Sequence, residues 1–295
     1  MKTIYFVVIH YNVIAETVKC VNSILAQRNN VDNIVIKVVV VDNASPNGTG
    51  ERLQKLYVND ENVKVILSKQ NLGFAKGNNL GFAHAKDNSA DYIVVVNNDT
   101  EIVDKNFCAK IVELSEEHGY GVLGPDIISM RDGVHQNPMK GFPATKAELQ
   151  KRLLKANIIL LLTKAGLSKL LSKLSINAQQ KVYDGRTNRN ALTVNDSFDY
   201  ILHGSCLIFS KEYIDRFDGF YPKTFMYYEE EILAYRCLKS NIKMIYDPSI
   251  SINHYRNVAT KGVTKNAKDA LIFKEKLTIQ SLRELYILLK EDRIE

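Results

Sequence analysis

Two stretches of this chain carry side chains in an order that could do chemistry. The first, YIVVVNNDTEI from Tyr92 to Ile102, is an apolar run of strand length that stops on Asn97, Asn98 and Asp99. Such a run suits a strand covered on both faces, and in open α/β sheets ligands bind outside the carboxyl ends of the strands. Asp99, flanked by amides, could there hold a divalent cation and its phosphate ligands, while a turn stabilised by Asn and Asp side chains is the equally open alternative. The second stretch, FMYYEEEILAYR from Phe225 to Arg236, places aromatics ahead of Glu229, Glu230 and Glu231 at a helix start, where acidic side chains suit the dipole. Successive helical residues sit ~100° apart, so the three glutamates cannot all face one cleft, which leaves one or two for chemistry.

Stepping along the chain, the elements that would position these groups alternate. Ile4–Ile9 reads as a buried strand, and Asn12 or a near neighbour caps a helix over 14–26. A second strand over 34–41 ends on Asp42, so a carboxylate again closes an apolar run, and Pro46-Asn47-Gly48 marks the loop after it. A short helix over 50–57 and a strand over 63–67 lead to Asn71-Leu72-Gly73-Phe74-Ala75-Lys76-Gly77-Asn78-Asn79, a turn running into a helix, where small residues allow close backbone approach and the helix start attracts phosphate. This is neither a G-x-G-x-x-G fingerprint nor a P-loop, which disfavours NAD and P-loop nucleotide chemistry. A helix over 105–117 and a strand over 121–128 complete a largely parallel, three-layer α/β pattern. Further on, FDYILHGSCLIF over 198–209 is strand-like and broken at His203-Gly204-Ser205, with Gly204 allowing close approach to the backbone. Short strands over 243–246 and 250–254 and a helical tail from about Lys265 follow.

The 295 residues suffice for a full core, and 45% hydrophobic with 24% charged residues is ordinary for a globular protein. Four scattered cysteines without C-x-x-C spacing point to a reducing, cytosolic setting. The amino terminus lacks the pattern of a signal peptide, and no apolar stretch approaches the ~20 residues of a bilayer span. The net charge of +6 is local: residues 140–189 hold eleven Lys/Arg against Glu148 and Asp184, a balance of +9 that leaves −3 for the remainder. Within that region residues 147–174 set leucines at helical spacing among lysines, with Gly166 as a break. Three readings stay open for this helix: a membrane-interface contact, packing against its own domain, and dimerisation. Nucleic-acid binding lacks interleaved aromatics and a reading motif.

The order of these pieces resembles the inverting family-2 glycosyltransferases with the GT-A fold, and among them the rhamnosyltransferase-like bacterial enzymes of surface polysaccharide (capsule or O-antigen) synthesis. The likeness runs from about residue 3 to 257 apart from the basic insertion, and is carried by IHYN at 9–12, VVVDNAS at 39–45, NLGFAKGNN at 71–79, VVVNNDTE at 94–101, and FMYYEEEILAYR at 225–236 followed by His254. It implies a nucleotide-sugar-binding half over 1–129, a basic helical insertion over 130–196, an acceptor and catalytic half over 197–258 and a helical tail over 259–295. By the same resemblance Asp42 holds the nucleobase edge, and Asn12, Asn71, Gly73, Asn78, Asn97, Asn98 and Gly204 complete the donor site. Asp99 stands for the last acid of the family's Asp-x-Asp motif and, with His254, is implied as ligand of Mg²⁺ or Mn²⁺. Glu230 matches the general base and Glu229 the acid before it. Two departures stand out: Asn97 replaces the first aspartate of the metal motif, and the base position holds Glu in place of Asp, which leaves Glu229, Glu230 and Glu231 as alternatives.

The implied activity is inverting transfer of a sugar, with dTDP-rhamnose the first donor and UDP-hexose or UDP-galactofuranose behind it. The implied acceptor is a glycan or polyprenyl-diphosphate-linked chain at the inner face of the cell membrane, with residues 140–189 docking to that surface and a homodimer as a further option. A non-catalytic sugar-nucleotide-binding subunit is the alternative, because both acidic motifs depart from the family pattern.

Overall fold

The computed structural model describes residues 1–30, 33–141, 145–167, 192–193, 200–255 and 266–294. Apolar runs become a central sheet: β1 (Lys2–His10), β2 (Ile34–Asp42), β3 (Val63–Leu67), β4 (Tyr92–Asn97), β5 (Thr100–Ile102), β6 (Val122–Ser129), β10 (Cys206–Ser210) and β11 (Met244–His254), in the order β3-β2-β1-β4-β10-β6-β11-β5. β8 (Leu192–Thr193) pairs with β11, while β7 (Met139–Lys140) and β9 (Tyr200–Ile201) make a separate ribbon. The β1 to β4 strands are parallel, as a buried α/β sheet requires, but β10 runs antiparallel between β4 and β6.

Period-two alternation splits the strand side chains between two helical layers. Ile4, Phe6 and Val8 of β1 face α1 (Ile14–Ala26), α2 (Thr49–Leu56) and α4 (Phe107–His118). Tyr5 and Val7 face α3 (Gly73–Asp87), α6 (Lys211–Ile214) and α7 (Glu229–Lys239). The result is the expected three-layer α/β/α sandwich. Burying each large apolar side chain contributes about 1.5–3 kcal/mol, so these two clusters set the fold before any polar contact is counted.

Outside α7 lies a third cluster, formed with α5 (Lys146–Lys164) and α8 (Ala267–Glu291) around Leu149, Tyr221, Ile232, Tyr235, Leu282, Leu285 and Leu288. Thr145 caps α5 by accepting the Glu148 N–H, and the helix stops before Gly166, whose φ of +77° is left-handed. Of the leucines expected to form one stripe, Leu149 and Leu153 turn into this cluster, in accord with the packing reading. Leu167 of that stripe is exposed, and so is a different set, Leu154, Ile158 and Leu161. Leu171 and Leu174 lie outside the described residues, as does half of the basic region. Among the described residues no helix is long and apolar enough to cross a membrane.

Candidate active site

Strand register brings distant polar residues to one end of the sheet. His10 lies opposite Asp42, and Ile9 opposite Asn97, so β1, β2 and β4 end level. Because β10 is antiparallel with Cys206 opposite Val96, the residues before it arrive at that same end, and the Asn97 N–H donates to the Ser205 carbonyl at 2.9 Å. His254, at the end of β11, is opposite Thr100 and Ser129, and the Tyr255 N–H donates to the Asp99 carbonyl at 2.9 Å.

The Asp99 carboxylate then faces His254, Oδ1 to Nε2, at 3.3 Å. Nδ1 of that ring lies 2.7 Å from the Gln136 side-chain oxygen, and the His203 ring stands edge-on at 5.9 Å between centroids. The next residue, Gly204, donates its N–H to Glu230 Oε1 at 3.2 Å. A methyl group on Gly204 would lie 2.7 Å from that oxygen, so a small residue is needed where the carboxylate docks. Asp99, His254 and Glu230 thus meet through His203 and Gly204, although 155 positions separate the first from the second along the chain (254 − 99).

Glu230 is set by α7, which begins after Tyr227 and Tyr228, both left-handed with φ of +77° and +67°. Such a backbone costs about 1–2 kcal/mol per residue for side chains larger than glycine, and it persists only where the surroundings enforce it. Burial pushes the Glu230 carboxyl above the ordinary range, opposed by the Gly204 N–H. Burial and then the Glu230 charge push Glu229 up to about 8, and the same two causes push Glu231 up to about 8. Glu229 is buried with Oε1 unpartnered, so it lies beneath the cleft, whereas Glu230 docks on Gly204.

The remaining positions form a second group. Asp42 is buried, accepts the Ser45 N–H at 3.2 Å and lies against Gly50, where a methyl would come within 2.4 Å of its oxygen. His10, fully buried, sits between Thr17 (2.6 Å) and Thr49 (2.9 Å), and its Nε2 is 3.9 Å from Asp42. Burial lowers its pKa against the pull of Asp42. Asn98 donates to Thr17 at 3.0 Å, so a path of contacts runs from Asp42 through His10 and Thr17 to the Asp99 turn. Asn71 and Gly73 are tied by Asn43, which donates to the Asn71 side chain at 3.1 Å and the Gly73 carbonyl at 3.0 Å and accepts the Leu72 N–H at 2.8 Å. Gly73 abuts the Phe225 carbonyl, a position no Cβ could share. Asn12 (φ +66°) is pinned to Ser45 and Asn47. Asn78 is wholly enclosed, donating to the Phe74 carbonyl, so its side chain lines no open surface.

Asn43, Gln136, Asn137 and His203 hold these groups, and the sequence reading gave none of them a role. Asn137 accepts the His203 N–H at 3.0 Å. The available signal was thin: three consecutive polar residues, His135-Gln136-Asn137, before a proline.

The donor set fits a divalent cation. A carboxylate oxygen and an imidazole nitrogen suit Mn²⁺, and with the His254 Nδ1 proton directed to Gln136, Nε2 and Asp99 oppose each other as electron-pair donors that a proton or a cation satisfies. Among the described residues no group of three or more His, Cys, Asp and Glu side chains is placed to hold a metal ion, so diphosphate and water oxygens would fill the other positions.

The family model described as Glycosyl transferase family 2 matches residues 5–170, more than half of the chain. The chain belongs to glycosyl transferase family 2. The low-salt glycan biosynthesis hexosyltransferase Agl10 of Haloferax volcanii is 25% identical over 211 residues, 71% of this chain and 56% of that protein, so the chain spans little more than half the length of this relative. Solved glycosyltransferase structures share the GT-A fold at low identity. GalNAc-T7 with UDP, GalNAc and Mn²⁺ superposes with TM-score 0.59 at 13% identity, covering 93% of this chain and 47% of that one. The Pyrobaculum calidifontis mannosyltransferase PcManGT with GDP-Man and Mn²⁺ gives 0.55 at 16%, covering 95% and 63%. S. aureus TarS 1–349 with UDP gives 0.55 at 16%, covering 98% and 66%.

Proposed function

We propose that this family 2 member is a metal-dependent inverting glycosyltransferase of surface-glycan assembly. The observation that carries the reading is the cluster at one end of the sheet in which Asp99 and His254 face each other and Glu230 docks on Gly204, next to the His203 ring that stands on His254. When bound, a divalent cation supplies the positive charge that a departing nucleoside diphosphate needs. Asp99, just past the end of β4, and His254, at the end of β11, would hold that cation. Glu230 accepts the proton of the acceptor hydroxyl as it attacks the anomeric carbon; a raised pKa brings this base nearer to working pH. One displacement from the far side inverts the centre. Asp42, with Asn71 and Gly73 behind Asn43, forms the nucleotide side in residues 1–129, and residues 197–258 form the acceptor side.

dTDP-rhamnose leads the donor panel, followed by UDP-hexoses, UDP-galactofuranose, and the UDP-GlcNAc and GDP-mannose found with structural relatives. The acceptor we favour is a polyprenyl-diphosphate-linked glycan at the inner face of the membrane. Leu154, Ile158 and Leu161 support peripheral docking there, lying exposed on α5 between the exposed Lys151 and Lys155 on one flank and Lys164 on the other.

A thermal-shift panel of these donors with and without Mn²⁺ tests the reading, since a ligand of the native state raises its apparent stability. One donor should stabilise in a Mn²⁺-dependent way and yield product by mass spectrometry with a lipid-linked acceptor. Stabilisation without product over the whole panel would identify a binding subunit, and no stabilisation by any nucleoside-diphosphate sugar would end both.

A further inference from the structure

The segment from Met130 to Pro138 joins β6 to β7 and belongs to no motif that carried the resemblance, yet three consecutive side chains in it make directed polar contacts, two of them with residues of the site. His135 Nδ1 lies 2.8 Å from both oxygens of the buried Asp126. Asn137, also buried, donates to the Pro125 carbonyl at 2.8 Å and accepts the His203 N–H at 3.0 Å. Between these two anchors the Gln136 N–H donates to the Ile127 carbonyl at 2.8 Å, and the buried side chain presents its oxygen to His254 Nδ1 at 2.7 Å. Gln136 is therefore fixed from both sides before it touches the imidazole.

An amide oxygen only accepts, so the ring proton must lie on Nδ1. That leaves Nε2, 3.3 Å from the Asp99 carboxylate, with its electron pair directed to the place where a cation would sit. Groups that orient a metal-ligating histidine through its other nitrogen set both tautomer and ring angle. We propose that Gln136 is a positioning residue for the divalent cation: its side-chain oxygen holds the His254 ring in the one tautomer and orientation in which Nε2 and Asp99 act as a ligand pair. This rests on the metal reading above, and it goes beyond it by giving the ligand pair a third residue that never touches the metal.

A role in packing alone is the competing account, and it would be served as well by leucine. The test uses the full chain and three variants, Gln136→Leu, Gln136→Glu and His254→Ala. In the metal-free wild type at a pH of about 8, two-bond ¹H–¹⁵N spectra of histidine-labelled protein, assigned with His254→Ala, should show His254 protonated on Nδ1. Gln136→Leu should move the proton to Nε2 and weaken Mn²⁺ binding about 10–100-fold, read by electron paramagnetic resonance titration with Mn²⁺ alone. Gln136→Glu, whose ionised side chain also can only accept, should keep both the Nδ1–H tautomer and the affinity. In the His254→Ala background, Gln136→Leu should cost nothing further. Should the leucine variant fail to fold, the wild-type spectrum and the glutamate variant still decide.

An Nε2–H tautomer in the wild type, unchanged Mn²⁺ affinity in Gln136→Leu, or equal losses in the leucine and glutamate variants would overturn the inference while leaving the transferase reading intact. Mn²⁺ binding absent from the wild type itself would overturn the inference and the metal reading together.

Discussion

In the loops after β1 and β2, most of the partners are amides, hydroxyls and backbone groups: Asn43 gathers Asn71, Leu72 and Gly73, His10 sits between two threonines with burial lowering its pKa, Asn47 reaches Asn12, and the Asp42 carboxylate is held by the Ser45 N–H. Across the cleft, between β4, β11 and α7, the partners are titratable: a carboxylate meets an imidazole at 3.3 Å, another imidazole stands beside it, and three successive glutamates crowd the first turn of a helix. Both regions leave buried oxygens unpartnered, Asn12 and Asn78 on one side, Ser205 and Glu229 on the other, so incomplete hydrogen bonding does not separate them. Charge does. The first region is held chiefly by amides, hydroxyls and backbone groups around one buried carboxylate and imidazole 3.9 Å apart, and the second by a crowd of charges whose arrangement changes with protons and ions.

Substitutions can break or sharpen that contrast. The largest expected effect is Glu230→Gln: if this carboxylate takes the acceptor proton, kcat should fall about 10²–10⁴-fold while nucleotide binding by calorimetry is kept. Full activity would remove Glu230 from the chemistry. Next, Gly204→Ala drives a methyl to within 2.7 Å of Glu230 and displaces one of the two backbone N–H bonds, from Glu230 itself and from Gly204, that pull its pKa down. Turnover should fall about tenfold, and the acidic limb of its pH profile should move upward, because the base must lose its proton to work. An unshifted limb would separate Glu230 from that limb.

Smaller effects should appear in stability. Asn43→Ala leaves the Gly73 carbonyl and Leu72 N–H without their partner and should cost about 1–3 kcal/mol by denaturant melts, equally at acid and neutral pH. Glu229→Gln should behave differently. Its folded pKa of about 8 exceeds the ordinary 4.5, so the folded chain binds more protons than the unfolded one between those values. Stability from the protonated group is present below 4.5 and is lost as pH rises through about 8. The glutamine variant should therefore gain on the wild type with rising pH, by up to about 5 kcal/mol across that window. A gap between the two that stays flat with pH would show that Glu229 is not buried as a neutral acid.

The sequence made the sheet legible because its strands are apolar on both faces. The third strand begins and ends at Val63 and Leu67 as expected, and α1 spans Ile14–Ala26 as its periodicity indicated. The two short strands expected over 243–246 and 250–254 are one, β11, whose pairing with β6 shifts register between Asp247 and Ser251 without ending the strand. Legibility faded where position depends on partners far along the chain. The HGS break before β10 was plain at 203–205, but its place beside Asn97 follows from an antiparallel pairing that no local pattern encodes. Gln136 was invisible for the same reason, since an amide in a loop acquires meaning only from the ring it meets.

That antiparallel strand also governs when the middle of the sheet can close. Until Ser210 has left the ribosome, β4 and β6 have no neighbour between them and two apolar strand edges stand open to other chains. Insertion of β10 is therefore a late event, the cleft waits longer still for Glu230 on α7 and His254 on β11, and the nascent first half should depend on protection from self-association until β10 is in place.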